Sequence, residues 1–578
     1  MRVNCHAHIF NAKSVFNKYT LEILLNRITE MGIPESLEEA VAKQLKEVFN
    51  EAGDFVDEKK FFEKVLSHLS DTDEYKTLLQ KITPSLKLEF EIIGSEKIKE
   101  ASAELLTKLI SKVCAAFDSH DVRKKDIMDF IDFLRIGLQP SIRNVTDIIV
   151  RQLPNKTDAL VALMMDITND GNDNGQFERQ VKDTSAMVLA YPGRIFPFVA
   201  VNPMRPDHFQ IMERALNGMG FIGVKVYPSL GFDIDSPEMY KVYAYCEERQ
   251  IPILMHCTKG GFKHSDQHAY NSSPEHWEGI LQKHNDLKIC FGHFGDDLFF
   301  AGLPEADNKP AWCPMILRLM ERYPNVYGDI SYHTAPMDGG NVENIYFETL
   351  NEHIKNPKYK ERILWGSDFF FVRRRLREKN HWNYMKKMID PDNFDQISSI
   401  NPNHYLGLDP DNLSWSVTNY VKFLGANAQL VETAPPAWLK KAVRNVFGES
   451  VAFDATPLGR AWSLNNRAHV TLYEDFNENE FLESTPFEAS GSIKLSAMAY
   501  WRDLRLGSAR MARMMLRRRS VKIIKSFKDG GAALTKKDGK RLTQDKAIKV
   551  LLPVLKNGSK SVAELGAVCD NLFDFKVT

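Results

Sequence analysis

Arg2-Val3-Asn4-Cys5-His6-Ala7-His8-Ile9-Phe10 decides how this chain is read. Apolar residues around an alternating centre mark a short buried strand. Side chains alternate faces along a strand, so His6 and His8 project from one side and Cys5 from the other. Two imidazoles at the carboxyl end of a strand can grip one divalent cation. Taken alone they are as readily two ordinary histidines, so the decision rests on what the remaining chain adds.

It adds seven more strands. The apolar runs are Ala159 to Met165, Ile195 to Val201, Phe221 to Val226, Ile251 to His256, Lys288 to His293, Val326 to Ser331 and Arg362 to Asp368, separated by helical patterns such as Pro237 to Arg249. With residues 2–10 this makes eight β/α units in order, which predicts an α/β fold, a (β/α)8 TIM barrel whose site lies at the carboxyl ends of its strands. The barrel is expected to span 1–12 and 152–408. Between its first two strands, 13–151 reads as a large helical insertion of amphipathic runs punctuated by Pro34, Pro84, Gly94 and Pro140. Residues 409–578 read as a mainly helical C-terminal extension, with helices over Trp415 to Gly425 and Ala437 to Phe447 and a helical tail over Thr543 to Leu572. A basic run from Arg502 to Lys528 has near-helical apolar spacing and is expected to dock on acidic residues of its own chain or another subunit.

The chain's 578 residues exceed what one core usually organises. Hydrophobic content of 43% and charged content of 26% are those of a soluble globular protein. A net charge of -1 gives no overall pull toward nucleic acid or membrane. Seven cysteines without framework spacing suggest reduced thiols and a cytoplasmic setting. No run is apolar and long enough to span a bilayer, and a metal-type strand starting at residue 2 argues against a cleavable leader.

Metal-capable or cationic residues end five of the eight strands: His6 and His8, Lys225, His256, His293 and Asp368. In a barrel these ends converge on one mouth. Three neutral imidazoles and a carboxylate, His6, His8, His256 and Asp368, suit one borderline divalent ion, zinc above others, and leave room for water or substrate. His293 would stand beside the ion as acid or base. Five unrelated polar strand ends are the bland alternative. Other signals fail on context. Gly218-Met219-Gly220-Phe221-Ile222-Gly223 matches a dinucleotide fingerprint by letters but precedes a strand. Asp170 to Gly175 opens like a calcium loop, yet its twelfth position is Val181. His264, His268 and Arg373-Arg374-Arg375 lie in loops at the mouth, where an anionic substrate and a solvated surface run compete as explanations.

His6-Ala7-His8, Gly223-Val224-Lys225-Val226-Tyr227-Pro228, Met255-His256, Gly292-His293-Phe294-Gly295 and Gly366-Ser367-Asp368, in this order, resemble the amidohydrolase superfamily. More narrowly they resemble its amidohydrolase-related branch, which holds aminocarboxymuconate-semialdehyde decarboxylase, resorcylate decarboxylases and metal-dependent lactonases. Pro192 to Phe198 and Asn202-Pro203 also resemble that branch's third strand. The resemblance covers 1–10 and about 158–408. It implies metal ligation by His6, His8, His256 and Asp368, a catalytic His293, and proton abstraction from the attacking water by Asp368 in hydrolytic relatives. For Lys225 it implies either a carboxylated bridge between two metals or, in the Gly-x-Lys-x-x-Pro setting, a free amine that binds a substrate carboxylate; a lysine paired structurally inside the barrel is the third possibility.

The expectation is therefore a metal-dependent hydrolase acting on a small, carboxylated molecule through a metal-activated water. The alternative is a nonoxidative metal-dependent decarboxylase, a carboxy-lyase. A non-catalytic binding protein on the same barrel is a weaker third reading. The expected partners are a small-molecule substrate and further copies of the chain, with no nucleic acid.

Overall fold

The computed structural model describes residues 1–30, 33, 35–50, 58–70, 110, 124–155, 157–167, 173–305, 311–373, 375–448, 534–535 and 541–542. Eight strands occur where the apolar runs place them: β1 Val3–His8, β2 Ala159–Leu163, β3 Ile195–Val201, β4 Gly223–Val226, β5 Ile253–Met255, β6 Ile289–Phe291, β7 Val326–Asp329 and β8 Ile363–Leu364. They form one sheet in sequential order, each paired in parallel with the next. Cys5 N–H donates to Trp365 O at 2.9 Å and Asp368 N–H to His6 O at 2.8 Å, which joins the last segment to the first. The result is a nearly closed (β/α)8 barrel. Every strand residue is buried, as expected where helices cover the outer face of a parallel sheet.

The covering helices start and stop on local chemistry. The helix Pro237–Glu248 has Pro at its first position and Ser236 as cap, whose hydroxyl accepts from Met239 N–H. The helix Asn401–Leu406 ends on Gly407 at φ 70, a left-handed C-terminal stop, where the sequence places the closing of the barrel.

The described part of 13–151 is helical, including Leu21–Thr29, Glu35–Asn50, Glu58–Ser70, Lys124–Gly137 and Ile142–Gln152. Leu21–Thr29 buries Leu21, Ile23, Leu24, Leu25 and Ile28, so burial of one apolar face holds it. Ion pairs tie the insertion to loops at the barrel mouth: Arg373 Nε donates to Asp132 at 2.6 Å and Lys263 Nζ reaches Glu30 at 2.7 Å.

Helices form at Trp415–Ala426 and Ala437–Phe447. Tyr420 accepts Gly193 N–H at 2.7 Å, and Trp438 donates to Gly193 O at 3.1 Å, so both helices lean on the turn before β3. One compact unit comprises Met1–Ala428 with Pro435–Phe453; another comprises Gln429–Ala434 with Asp454–Thr578. In the second, Leu534–Thr535 and Arg541–Leu542 pair as a short antiparallel ladder. The basic run Arg502 to Lys528, the tail Thr543 to Leu572, residues 170–172 and Arg374 lie outside the described residues. No helix among the described residues is long and apolar enough to cross a membrane.

Candidate metal centre

The strands are shorter than the apolar runs, so His256, His293 and Asp368 sit in the turns just beyond β5, β6 and β8. His293 and Asp368 take left-handed backbone conformations, φ 62 and φ 52, and Tyr332 after β7 does the same at φ 58. Residues other than glycine rarely accept this geometry, and its concentration in three adjacent turns is the kind of strain found at functional sites.

Three histidines each have one ring nitrogen anchored and the other free to face the mouth. His6 Nδ1 donates to Asp329 Oδ2 at 2.9 Å. His8 Nδ1 donates to Leu163 O at 3.2 Å, and His256 Nε2 to Gly260 O at 3.0 Å. Such anchoring fixes the tautomer and leaves a bare lone pair on the opposite nitrogen. His6 Nε2 and Asp368 Oδ1 are buried with no hydrogen-bond partner. Among the described residues, ligand atoms of His6, His293 and Asp368 lie within 4.8 Å of one another. His8 flanks this trio, its ring 5.6 Å from that of His6, while His256 Nδ1 stands 3.1 Å from His293 Nε2.

The hydrogen count across that last contact is short. Ser331 Oγ donates to Asp329, so His293 Nδ1 gives its own hydrogen to Ser331 O at 3.2 Å. His293 Nε2 and His256 Nδ1 then face each other as two acceptors. Lone pairs of His6 and His293 meet a carboxylate oxygen of Asp368, with His256 Nδ1 beside His293 and no hydrogen to share, a donor set that fits a divalent cation.

Electrostatics favour the neutral imidazoles that metals require. Burial, then the charge of Lys225, pushes His8 well below the ordinary imidazole range. Burial followed by His293 does so at His256, and burial followed by His6 at His293. Burial raises the Asp368 carboxyl against the pull of His6, Lys225 and Arg27. Lys225 Nζ is buried and has no hydrogen-bond partner; burial pulls its ammonium down to about 8, opposed by Asp329 and Asp368.

Residues 157–408, somewhat under half of the chain, match the family model described as amidohydrolase. This part of the chain is similar to the amidohydrolase family.

No curated protein sequence matches the chain. An uncharacterised TIM-barrel protein from Bordetella bronchiseptica is 18% identical, with 48% of this chain and 89% of that one covered at TM-score 0.34. A 2,6-dihydroxybenzoate decarboxylase from Rhizobium is 17% identical, covering 44% and 84% at TM-score 0.32. A probable 2-pyrone-4,6-dicarboxylic acid hydrolase from Acinetobacter baumannii is 15% identical, covering 45% and 87% at TM-score 0.32. Likeness this distant says nothing about the reaction.

The barrel brings together all six site residues that the sequence singles out, and adds two. Asp329, the last residue of β7, accepts from His6 Nδ1, from His293 N–H at 3.1 Å and from Ser331 N–H at 3.0 Å. Burial raises its carboxyl, but His6, His293 and Ser331 outweigh that and hold it well below the usual carboxylate range. Ser331 bridges the rings of His6 and His293, 3.0 Å from each Nδ1. A carboxylate ending an apolar strand was the available signal for Asp329, the same one that marked Asp368. Cys5 and Cys257 are buried thiols, as alternation at β1 implied for the first.

Proposed function

We propose that this barrel is a metal-dependent hydrolase acting on a small carboxylated molecule. The observation that carries the proposal is the meeting of bare nitrogens of His6 and His293 with the unpartnered Asp368 Oδ1, with His256 Nδ1 beside His293. His6, His8, His256 and Asp368 would hold the ion, most suitably zinc given nitrogen-rich, borderline donors. A divalent cation there supplies Lewis acidity, which acidifies water and polarises a substrate oxygen. Asp368, its carboxyl made more basic by burial, takes a proton from the attacking water. His293, held by Ser331, accepts that proton at Nε2 and passes it to the leaving group. Lys225, partnerless and enclosed, pairs with the substrate's carboxylate.

The enclosure of Lys225 beside the histidines favours a second reading, nonoxidative decarboxylation. Exclusion of water penalises a carboxylate more than the neutral carbon dioxide it releases, and His293 would then protonate the carbon left behind.

Elemental analysis of the purified chain should find about one zinc-like ion per chain, lost in His6→Ala and Asp368→Asn. Active wild-type protein without metal refutes the proposal. A panel of lactones, amides and aromatic acids, with carbon dioxide recorded beside hydrolysis products, separates the two reactions: carbon dioxide release without hydrolysis replaces the first by the second.

A further inference from the structure

The helical insertion carries a cation to the mouth of the barrel. Arg27, on the helix Leu21–Thr29, has a side chain only 10% exposed. Its Nη1 pairs with Glu30 at 2.9 Å, but its Nε is buried and has no hydrogen-bond partner. The guanidinium lies over the ring of Phe371, 4.9 Å from its centroid, and Phe371 is three residues beyond Asp368. Tyr332 is 5.7 Å from Phe371 and 6.4 Å from the ring of His293. Phe262 lies 5.8 Å from Phe371 on another side, and its N–H donates to Tyr227, which meets the His256 ring edge-on at 3.9 Å. A wall of aromatic rings thus runs from the histidines to the guanidinium. The charge of Arg27 is felt at both ends of that wall, by the Tyr227 hydroxyl and by the Asp368 carboxyl.

An enclosed guanidinium with an unused N–H is costly unless something accepts from it. Glu30 supplies one carboxylate, but that carboxylate is shared with Lys263 of the loop after β5, 2.7 Å away. The helix is therefore latched at the mouth by Glu30, while Arg27 keeps donor capacity in reserve.

We propose that Arg27 is a specificity-determining residue that binds an anionic group on the end of the substrate remote from the reacting bond. This rests on the metal-centre reading for where the reacting bond lies. The aromatic wall offers a flat molecule apolar contact. Arginine's planar fork suits a second carboxylate, or another planar oxyanion, better than a point charge would. The insertion thereby contributes to substrate choice directly rather than only covering the barrel.

The test uses the full-length chain loaded with zinc and isothermal titration with isophthalate and benzoate, which differ by one carboxylate. Wild type should bind isophthalate more tightly than benzoate. Arg27→Met should weaken isophthalate roughly 10–100-fold, the range of one charge-assisted hydrogen bond, and leave benzoate unchanged; Arg27→Lys should restore part of the loss. Isophthalate that fails to bind wild type, or binds no better than benzoate, overturns the proposal. Equal weakening of both acids in Arg27→Met also overturns it, by making Arg27 only a clamp for the helix. Zinc content of the same samples keeps the two readings apart. A zinc-free chain with an Arg27-dependent preference for isophthalate refutes the metal centre and keeps this inference, and a zinc-loaded chain indifferent to Arg27→Met does the reverse.

Discussion

His293 and Asp329 lie within one hydrogen bond of each other yet should fail differently when changed. Asp329 touches the centre through the far nitrogen of His6, orienting the ring and fixing its tautomer. Asp329→Asn keeps the shape but removes the charge, and metal affinity should fall roughly 10–100-fold, the usual cost of losing such an orienting partner. Competition with a chelator measures that directly. His293→Asn should leave much of the metal bound and reduce turnover by roughly 10²–10⁴-fold, the range for a positioned acid or base. If the asparagine at 293 empties the site while activity per bound ion survives, His293 is a ligand first, which its place beside His6 and Asp368 would explain.

At the scale of elements, the joint between β8 and β1 sets the tolerance of the centre. Gly366 lies where a Cβ would stand 2.6 Å from His6 Cβ and 3.0 Å from His6 N, a closeness no ordinary side chain relieves. Gly366→Ala should displace β1 from the last segment, lowering stability by about 1–3 kcal/mol and loosening the ion together with it. Denaturant titration and metal content, measured on one preparation, should change in parallel. The joint also shows what the letters of the chain could reveal. Arg362 to Asp368 reads as one strand, but only Ile363–Leu364 pairs as one. The turn that follows gives Asp368 its left-handed φ, and alternation of faces cannot foresee a bend. The existence and order of the eight strands were legible because buried parallel strands are written as continuous apolar runs. His6, His8, His256, His293 and Asp368 were legible as polar interruptions at the ends of those runs. Arg27 was not, because nothing local distinguishes one arginine on an amphipathic helix from another. Its role appears only when the fold carries position 27 to position 371.

The molecule as a whole should answer to pH through a pair of carboxylates that take no part in the proposed centre. Asp296, after β6, is pushed up to about 6 by burial and then by Glu305, whose other contact is Lys259 at 2.7 Å. Its folded value lies above the ordinary 3.8, so between these values the folded chain binds more protons than the unfolded one. Stability from this group is therefore lost as pH rises through that window, and the full penalty is present above it. Asp296→Asn should gain on the order of 1 kcal/mol at pH 7, after discounting for the solvent around the group, and nothing near pH 4. Unfolding by denaturant at the two pH values checks the sign.

The distance along the chain between β1 and its partners has a consequence for biosynthesis. His8 leaves the ribosome 360 residues before Asp368, and β1 finds its first neighbour, β2, only after the whole insertion has been made. At about 5–20 residues per second, the opening strand waits roughly 20–70 s for the segment that completes the ring. During that interval the nascent chain holds two of the four proposed ligands, His6 and His8, on an unpaired, apolar edge. If the proposed centre holds an ion, capture must follow translation of nearly the whole barrel, and β1 is the barrel strand that waits longest for both of its neighbours.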